Sequence, residues 1–155
     1  MKRNEHLRPL SLNHYDGLIA ARRLQKGLDN NADTAVMCEY AMELWETQLK
    51  PHCLREEEHL IPELDRLFAT AMKDRLLGDH QEIQTLVYRI KRGDNPQFHL
   101  SKLSSLLNRH IRFEERKLFP FLERQLGDER LGRIGQYLNE HHSNADHNWS
   151  PPFWD

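Results

Sequence analysis

Apolar residues return every three or four positions along most of this chain, and no segment alternates with the two-residue period of a strand. Proline, glycine and asparagine cut the periodic stretches into five predicted helices. The first is introduced by Pro9 and Ser11 and runs to about Leu28, with Leu10, Leu18, Ala21 and Leu28 as its apolar stripe. The second runs from about Ala32 to Leu60 or beyond, with Met37, Ala41, Trp45, Leu49 and Leu60 inward. Pro51 predicts a kink within it, and Pro62 a stop or second bend. The third spans roughly Thr70 to Arg92 on Leu76, Leu77, Ile83, Val87 and Ile90. Gly93-Asp94-Asn95-Pro96 reads as a stop and a start, with Gly93 as C-cap, Asn95 as N-cap and Pro96 at the first helical position. The fourth helix reaches about Gln125 with Leu103, Leu106, Leu107, Phe113 and Phe121 inward. A fifth, from about Asp128 to His142, packs through Leu131, Ile134 and Leu138. The tail from Asn148 to Asp155 is too rich in proline to be helical.

Four helices joined by short turns predict an all-α fold, an antiparallel up-down-up-down four-helix bundle over about residues 10–125. A short extra C-terminal helix and a Pro/aromatic tail, about 127–155, complete a single domain of 1–155. Trp149, Phe153 and Trp154 of that tail either dock onto the bundle as a plug or serve a homodimer or other partner contact.

The helical stripes carry more than apolar residues. His14, His52, His80 and His110 fall on the inward faces of the four bundle helices, and Glu56 and Glu114 share those faces with His52 and His110. The stretches His52-Cys-Leu-Arg-Glu-Glu-Glu-His-Leu-Ile-Pro62 and His110-Ile-Arg-Phe-Glu-Glu-Arg-Lys-Leu-Phe-Pro120 both read His-x3-Glu-Glu-x2-Leu-x-Pro, an internal repeat. Register tests the idea. His14 lies about 16 residues before the first turn and His52 about 21 after it; His80 lies about 14 before the second and His110 about 15 after, so at about 1.5 Å per residue each pair reaches a similar height. All four imidazoles can occupy one layer.

One inward histidine is usually a hydrogen-bonded core residue. Four in one layer with two glutamates are different, because buried carboxylates without partners cost several kcal/mol each, and cations offset that cost. Imidazole and carboxylate without thiolate suit iron, manganese or zinc. Six protein ligands exceed one tetrahedral zinc site. Two carboxylates from facing helices can bridge a pair of metals with two histidines on each, and a bridging oxygen leaves a position for a small molecule. The neighbours Glu57 and Glu115, about 100° further round the helix, read as surface or supporting groups. Gly17, one turn after His14, is a candidate for leaving room beside it.

Composition narrows the partners. Charged residues make up 30% of the chain, hydrophobic ones 38%, and the formal charge is −2 with no outstanding basic block, which argues against nucleic acid. No apolar run approaches about 20 residues, so no membrane span is expected. Met1-Lys-Arg-Asn-Glu-His lacks a secretion-signal pattern, and the expected compartment is cytoplasmic. Cys38 and Cys53, about four turns apart on one predicted helix, cannot bridge each other. Of the ten histidines, His6 and His99 read as surface or packing positions, His59 as a partly exposed residue at the bundle mouth, and His141, His142 and His147 as solvated.

The two His-x3-Glu-Glu-x2-Leu-x-Pro copies and the register of the histidines resemble the hemerythrin-like family, the HHE cation-binding domain, over about His14 to Pro120. The resemblance implies two iron ions bridged by an oxo or hydroxo group, with zinc or manganese able to replace iron in vitro. His14, His52, His80 and His110 would be terminal ligands and Glu56 and Glu114 the bridging carboxylates. Glu115 is an alternative bridge, because oxygen carriers of the family place that carboxylate five residues after the histidine. Those carriers also have a fifth histidine four residues after the one matching His80; here that position is Gln84. The expected role is to bind, sense or handle O2, NO, peroxide or iron. The alternatives are a di-iron oxidase, peroxidase or NO reductase, or an iron–sulfur-cluster repair factor, although the cysteine-bearing segment common in repair proteins is not seen ahead of His14. Whether the protein is an enzyme stays open. A ferritin-like carboxylate site needs Glu-x-x-His twice; Glu56 to His59 supplies it once, and Glu114 to Lys117 breaks it.

Overall fold

A computed structural model describes residues 2–141 and 147–155, with the backbone alone at His141. Among them the fold is all helical, with no strand. The elements are α1 (Arg8–Asp29), α2 (Thr34–Leu44), a π-helical segment (Trp45–Leu49), α3 (Lys50–His59), α4 (Ile61–Arg66), α5 (Thr70–Lys91), α6 (Pro96–Phe113), a second π-helical segment (Glu114–Leu118), α7 (Phe119–Gln125) and α8 (Asp128–His141). Helix α6 packs against both α1 and α5, and α2 against α5.

Local chemistry explains most boundaries. Asp33 caps α2, its side chain accepting from the Ala35 N–H at 2.9 Å. Helix α5 ends in a Schellman turn: Gly93 takes φ +72°, its N–H donates to Ile90, and the Asp94 N–H donates to Arg89. Pro96 opens α6 as expected, but Asn95 is left-handed at φ +40° and its side chain caps nothing, so tertiary packing rather than a cap sets that start. Pro51 does not simply kink its helix. The π-helical turn Trp45–Leu49 immediately before it inserts the extra residue that relieves a proline ring against the preceding turn. A second π turn, Glu114–Leu118, does the same ahead of Pro120, whereas at Pro62 the helix breaks at Leu60 and restarts.

The apolar core is divided. One cluster gathers Ala20, Ala21 and Leu24 of α1 with Met37 to Leu49, Ile83 to Ile90 and Leu100 to Leu107; the other gathers Leu7, Leu10, Leu60, Leu64, Leu76, Phe113 to Leu122 and the α8 residues Leu131, Ile134 and Leu138. Of the predicted α1 stripe, Leu10 and Ala21 are buried and Leu28 packs against the core, but Leu18 is exposed, and Gly17, Ala20 and Leu24 complete the inner face. Gly17 is needed for close approach, since a Cβ there would lie 3.0 Å from Ile111 Cδ1 of α6 rather than beside His14.

The aromatic tail docks on its own fold. Phe153 is 8% exposed, so close to α1 that a Cβ on Gly27 would fall 2.6 Å from its ring, and Tyr40 meets Trp149 and Phe153 edge-on. The Arg23 guanidinium lies 4.0 Å over the Trp154 ring and donates to the His147 carbonyl. These rings face their own helices.

Candidate metal centre

Each of the four helical passages crosses between the two apolar clusters at a histidine: His14 between Leu10 and Ala20, His52 between Leu49 and Leu60, His80 between Leu76 and Ile83, His110 between Leu107 and Phe113. All four are buried, and Glu56 and Glu114 between them are 0% exposed. The imidazoles form two pairs, His14 with His52 at 5.0 Å between centroids and His80 with His110 at 5.1 Å.

Both pairs use the same two carboxylates. Ligand atoms of His14, His52, Glu56 and Glu114 lie within 4.8 Å of one another, and so do those of Glu56, His80, His110 and Glu114. His14 Nε2 is 3.1 Å from Glu114, His52 Nε2 is 3.2 Å from Glu56, and His110 Nε2 contacts the other Glu114 oxygen. None of these contacts has hydrogen-bond alignment: the three Nε2 atoms, Glu56 Oε2 and both Glu114 oxygens are buried and unsatisfied. Six unsatisfied polar atoms converging in a buried layer are costly as hydrogen-bonding groups and suited to serve as ligands of cations. The residues fit a metal pair.

Electrostatics agree. Burial would push the Glu114 carboxyl up, but His110 and His14 beside it hold it well below the usual carboxylate range. Burial would likewise lower the His14 and His110 pKa values; the charge of Glu114, with hydrogen bonds from the histidines to Glu115 and Asp79, raises them instead to about 9 and about 10. In the metal-free protein, protons on these rings supply the positive charge that the buried carboxylates demand. Divalent cations would supply the same.

The outer nitrogens reveal a second pattern. His52 Nδ1 donates to Asn13 at 3.1 Å, His110 Nδ1 to Asp79 at 2.8 Å, and His14 Nδ1 to Glu115 at 2.8 Å. Each acceptor is in turn met by an arginine: Arg55 at Asn13, Arg75 at Asp79, Arg3 at Glu115. His80 is the exception. Its Nε2 bonds Glu56 at 3.1 Å, its Nδ1 has no hydrogen bond, and the nearest carboxylate, Glu57, stands at 3.8 Å. Such partners fix the tautomer and aim Nε2 inward. Asn13 and Asp79 are the functional residues that sequence reasoning missed; the available signal was that each directly precedes a candidate ligand.

A cavity opens onto the cluster. Leu49, Cys53, Ile83, Leu107 and Ile111 wall it, His14, His52 and His110 end it, and Asn13, Asp16, Thr47, Gln48 and Arg55 lie toward its mouth. Burial pushes the Cys53 thiol well above its usual range, helped by Glu56 and Glu114, so it lines the wall as a neutral group.

The structure brings together His14, His52, Glu56, His80, His110 and Glu114. Glu115 stays outside the inner cluster as the acceptor for His14, so the alternative bridge is not supported by the geometry. Gln84 is exposed and lines a separate surface hollow with Met42, Trp45 and Tyr88; α5 turns Ile83 toward the cavity instead. His59 lies against Tyr137, with ring centroids 3.8 Å apart and the planes tilted, and stands outside both metal groups. His99 Nδ1 donates to the Asp94 carbonyl, and His6 packs on Gly135. His147 pairs with Asp16 at 2.9 Å; His142 and the His141 side chain lie outside the described residues.

A helical fold with a buried His and Glu cluster of this kind defines a cation-binding helical protein. The family model described as the hemerythrin HHE cation binding domain matches residues 17–122, and the chain belongs to that family. The match takes in His52, Glu56, His80, His110 and Glu114 and begins three residues after His14, whose place in the site rests on geometry. No curated protein and no solved structure matches the chain. No helix among the described residues is long and apolar enough to cross a membrane.

Proposed function

We propose that this is a single-domain non-haem di-iron protein that binds, senses or handles a small diatomic or peroxidic ligand, or iron itself. Its site would lie within an antiparallel up-down-up-down bundle. The alternating order in which the four passages cross between the apolar clusters supports that topology. One observation carries the functional reading: two histidine pairs share the same two buried carboxylates.

His14 and His52 would hold one cation, His80 and His110 the other, with Glu56 and Glu114 common to both. Iron there would supply redox change and Lewis acidity at a position reached by small molecules. The chain's own residues do the rest. Asn13, Asp79 and Glu115 hold Nε2 inward on three rings, and the apolar wall from Leu49 to Ile111 excludes bulk water and favours small, weakly polar ligands. Zinc or manganese could load the same oxygen and nitrogen donors.

Metal analysis of protein from iron-rich cells, with a visible spectrum, tests the reading. Two irons per chain, one for each ligand group, are expected, with reversible spectral change on adding O2, NO or peroxide. A colourless, metal-free and equally stable protein would overturn it.

A further inference from the structure

The outer face of α6 and the π turn after it carries a different kind of site. Arg109, Arg112, Arg116 and Lys117 line a shallow, open hollow around Phe113, together with Arg75 of α5. All five cations are exposed. Among the described residues only Arg75 has an acidic partner, Asp79 at 3.0 Å, and that carboxylate is already shared with His110. A chain with a formal charge of −2 thus gathers five positive groups in one place, and four of them have no acidic partner among the described residues. Arg75 is also oriented: its guanidinium lies 4.7 Å over the Phe113 ring, which fixes the plane it presents.

We propose that this hollow binds a small anion carrying two or three linked phosphate groups. Guanidinium forks match phosphate oxygens two at a time, and Lys117 adds a point charge. Residues 109 to 117 extend about 12 Å along the helix, a reach suited to a short phosphate chain and too short for the backbone track of a duplex. A lipid surface is disfavoured because none of the exposed large apolar side chains, such as Leu12, Tyr15, Phe68 or Phe98, lines the hollow. The same ligand would reach the metal centre. An anion that draws Arg75 from Asp79 weakens the restraint on His110, so occupancy of the hollow is communicated inward; only this coupling rests on the proposed metal site.

The test is calorimetric titration of the full chain with sodium tripolyphosphate at two salt concentrations, with metal content measured before and after. Saturable one-to-one binding that weakens with salt is expected. An R112E/R116E double variant should lose at least about tenfold in affinity, the scale of one or two charge-assisted hydrogen bonds. R22E/K26E, with the same charge change on α1, should bind as the parent. Binding that survives R112E/R116E and strips metal would be chelation and would overturn the proposal. So would affinity no greater than for sulfate at equal ionic strength, or tighter binding of hexaglutamate than of tripolyphosphate. A His110 NMR signal that shifts with the anion in the parent but not in R75Q supports the coupling; an unmoved signal overturns the coupling and leaves the anion site standing.

Discussion

His110 donates its Nδ1 proton to Asp79, and Asp79 is the residue directly before His80. The relation repeats around the site. Asn13 precedes His14 but serves His52, Glu115 follows Glu114 but serves His14, and Glu57 follows Glu56 and stands nearest the outer nitrogen of His80. Each of these groups comes from a helical segment other than the one bearing the ring it faces, and three of the four candidate histidines are aimed by a hydrogen bond to such a neighbour. Asp79→Asn keeps the volume and removes the charge that backs His110. Metal affinity should fall about 10–100-fold, read by competition with a chelator.

Glu114 and Glu115 are adjacent yet should behave differently. Glu114→Ala removes an oxygen donor common to both ligand groups, and metal should be lost from both. Glu115→Ala removes the acceptor for His14 and Ser11, and should weaken loading without abolishing it. Equal losses in metal stoichiometry would show that the wrong carboxylate has been placed between the cations.

Of the four candidate ligand rings, His80 is the one whose outer nitrogen lacks a hydrogen bond. The pair containing it should load second. Cobalt(II) titration followed by absorption should resolve two steps separated by about tenfold or more, the worth of one supporting hydrogen bond. His52→Ala should remove the tighter step and His80→Ala the weaker one. A single step of two equivalents would contradict this order.

The raised histidine pKa values set a pH dependence in the metal-free chain. A raised folded-state value means stabilisation that is complete below the unfolded value of 6.5 and lost as pH rises through about 9 for His14 and about 10 for His110. Glu114 has the opposite sign: its stabilisation is present above 4.5 and lost as pH falls through its lower folded value. Denaturant midpoints of the metal-free protein should therefore fall on both sides of neutrality. Metal affinity should rise with pH between 7 and 9, because binding displaces the imidazole protons. Calorimetry in buffers of different ionisation enthalpy would count the protons released.

The tail is structural in this account. Phe153→Ala should cost about 3–5 kcal/mol, since it empties a packed site against Gly27 and Tyr40. Metal stoichiometry should not change, because Phe153 belongs to the apolar cluster beyond the histidine layer.

The clustering of the six central residues was legible because two facts coincide in sequence: a repeated His-x3-Glu spacing and similar distances from two turns. His14 shows the strength of register, since it lies outside the family match yet stands in the cluster. What stayed hidden depends on which helix lies opposite. A residue adjacent to a ligand points about 100° away from it, and periodicity does not say whose imidazole it will meet. Asn13 and Asp79 were missed for that reason: their place beside a ligand is visible, but not the ring each one meets. Sequence left open whether Gln84, at the position of a family histidine, meets the site; α5 presents Ile83 inward and Gln84 to solvent. The π turns were half visible, since the prolines announced a disturbance but not its form.

The divided core also dictates how anything reaches the histidine layer. At one end the stack is shut by Trp149, Phe153 and Trp154, and at the other by Leu131, Ile134 and Leu138 of α8. The cavity instead meets the surface on the flank, beside Asn13, Asp16, Thr47 and Gln48. A small molecule would enter broadside, between α1 and the π turn ahead of Pro51, so its traffic would be governed by how these two surfaces part and not by fraying of the helix ends.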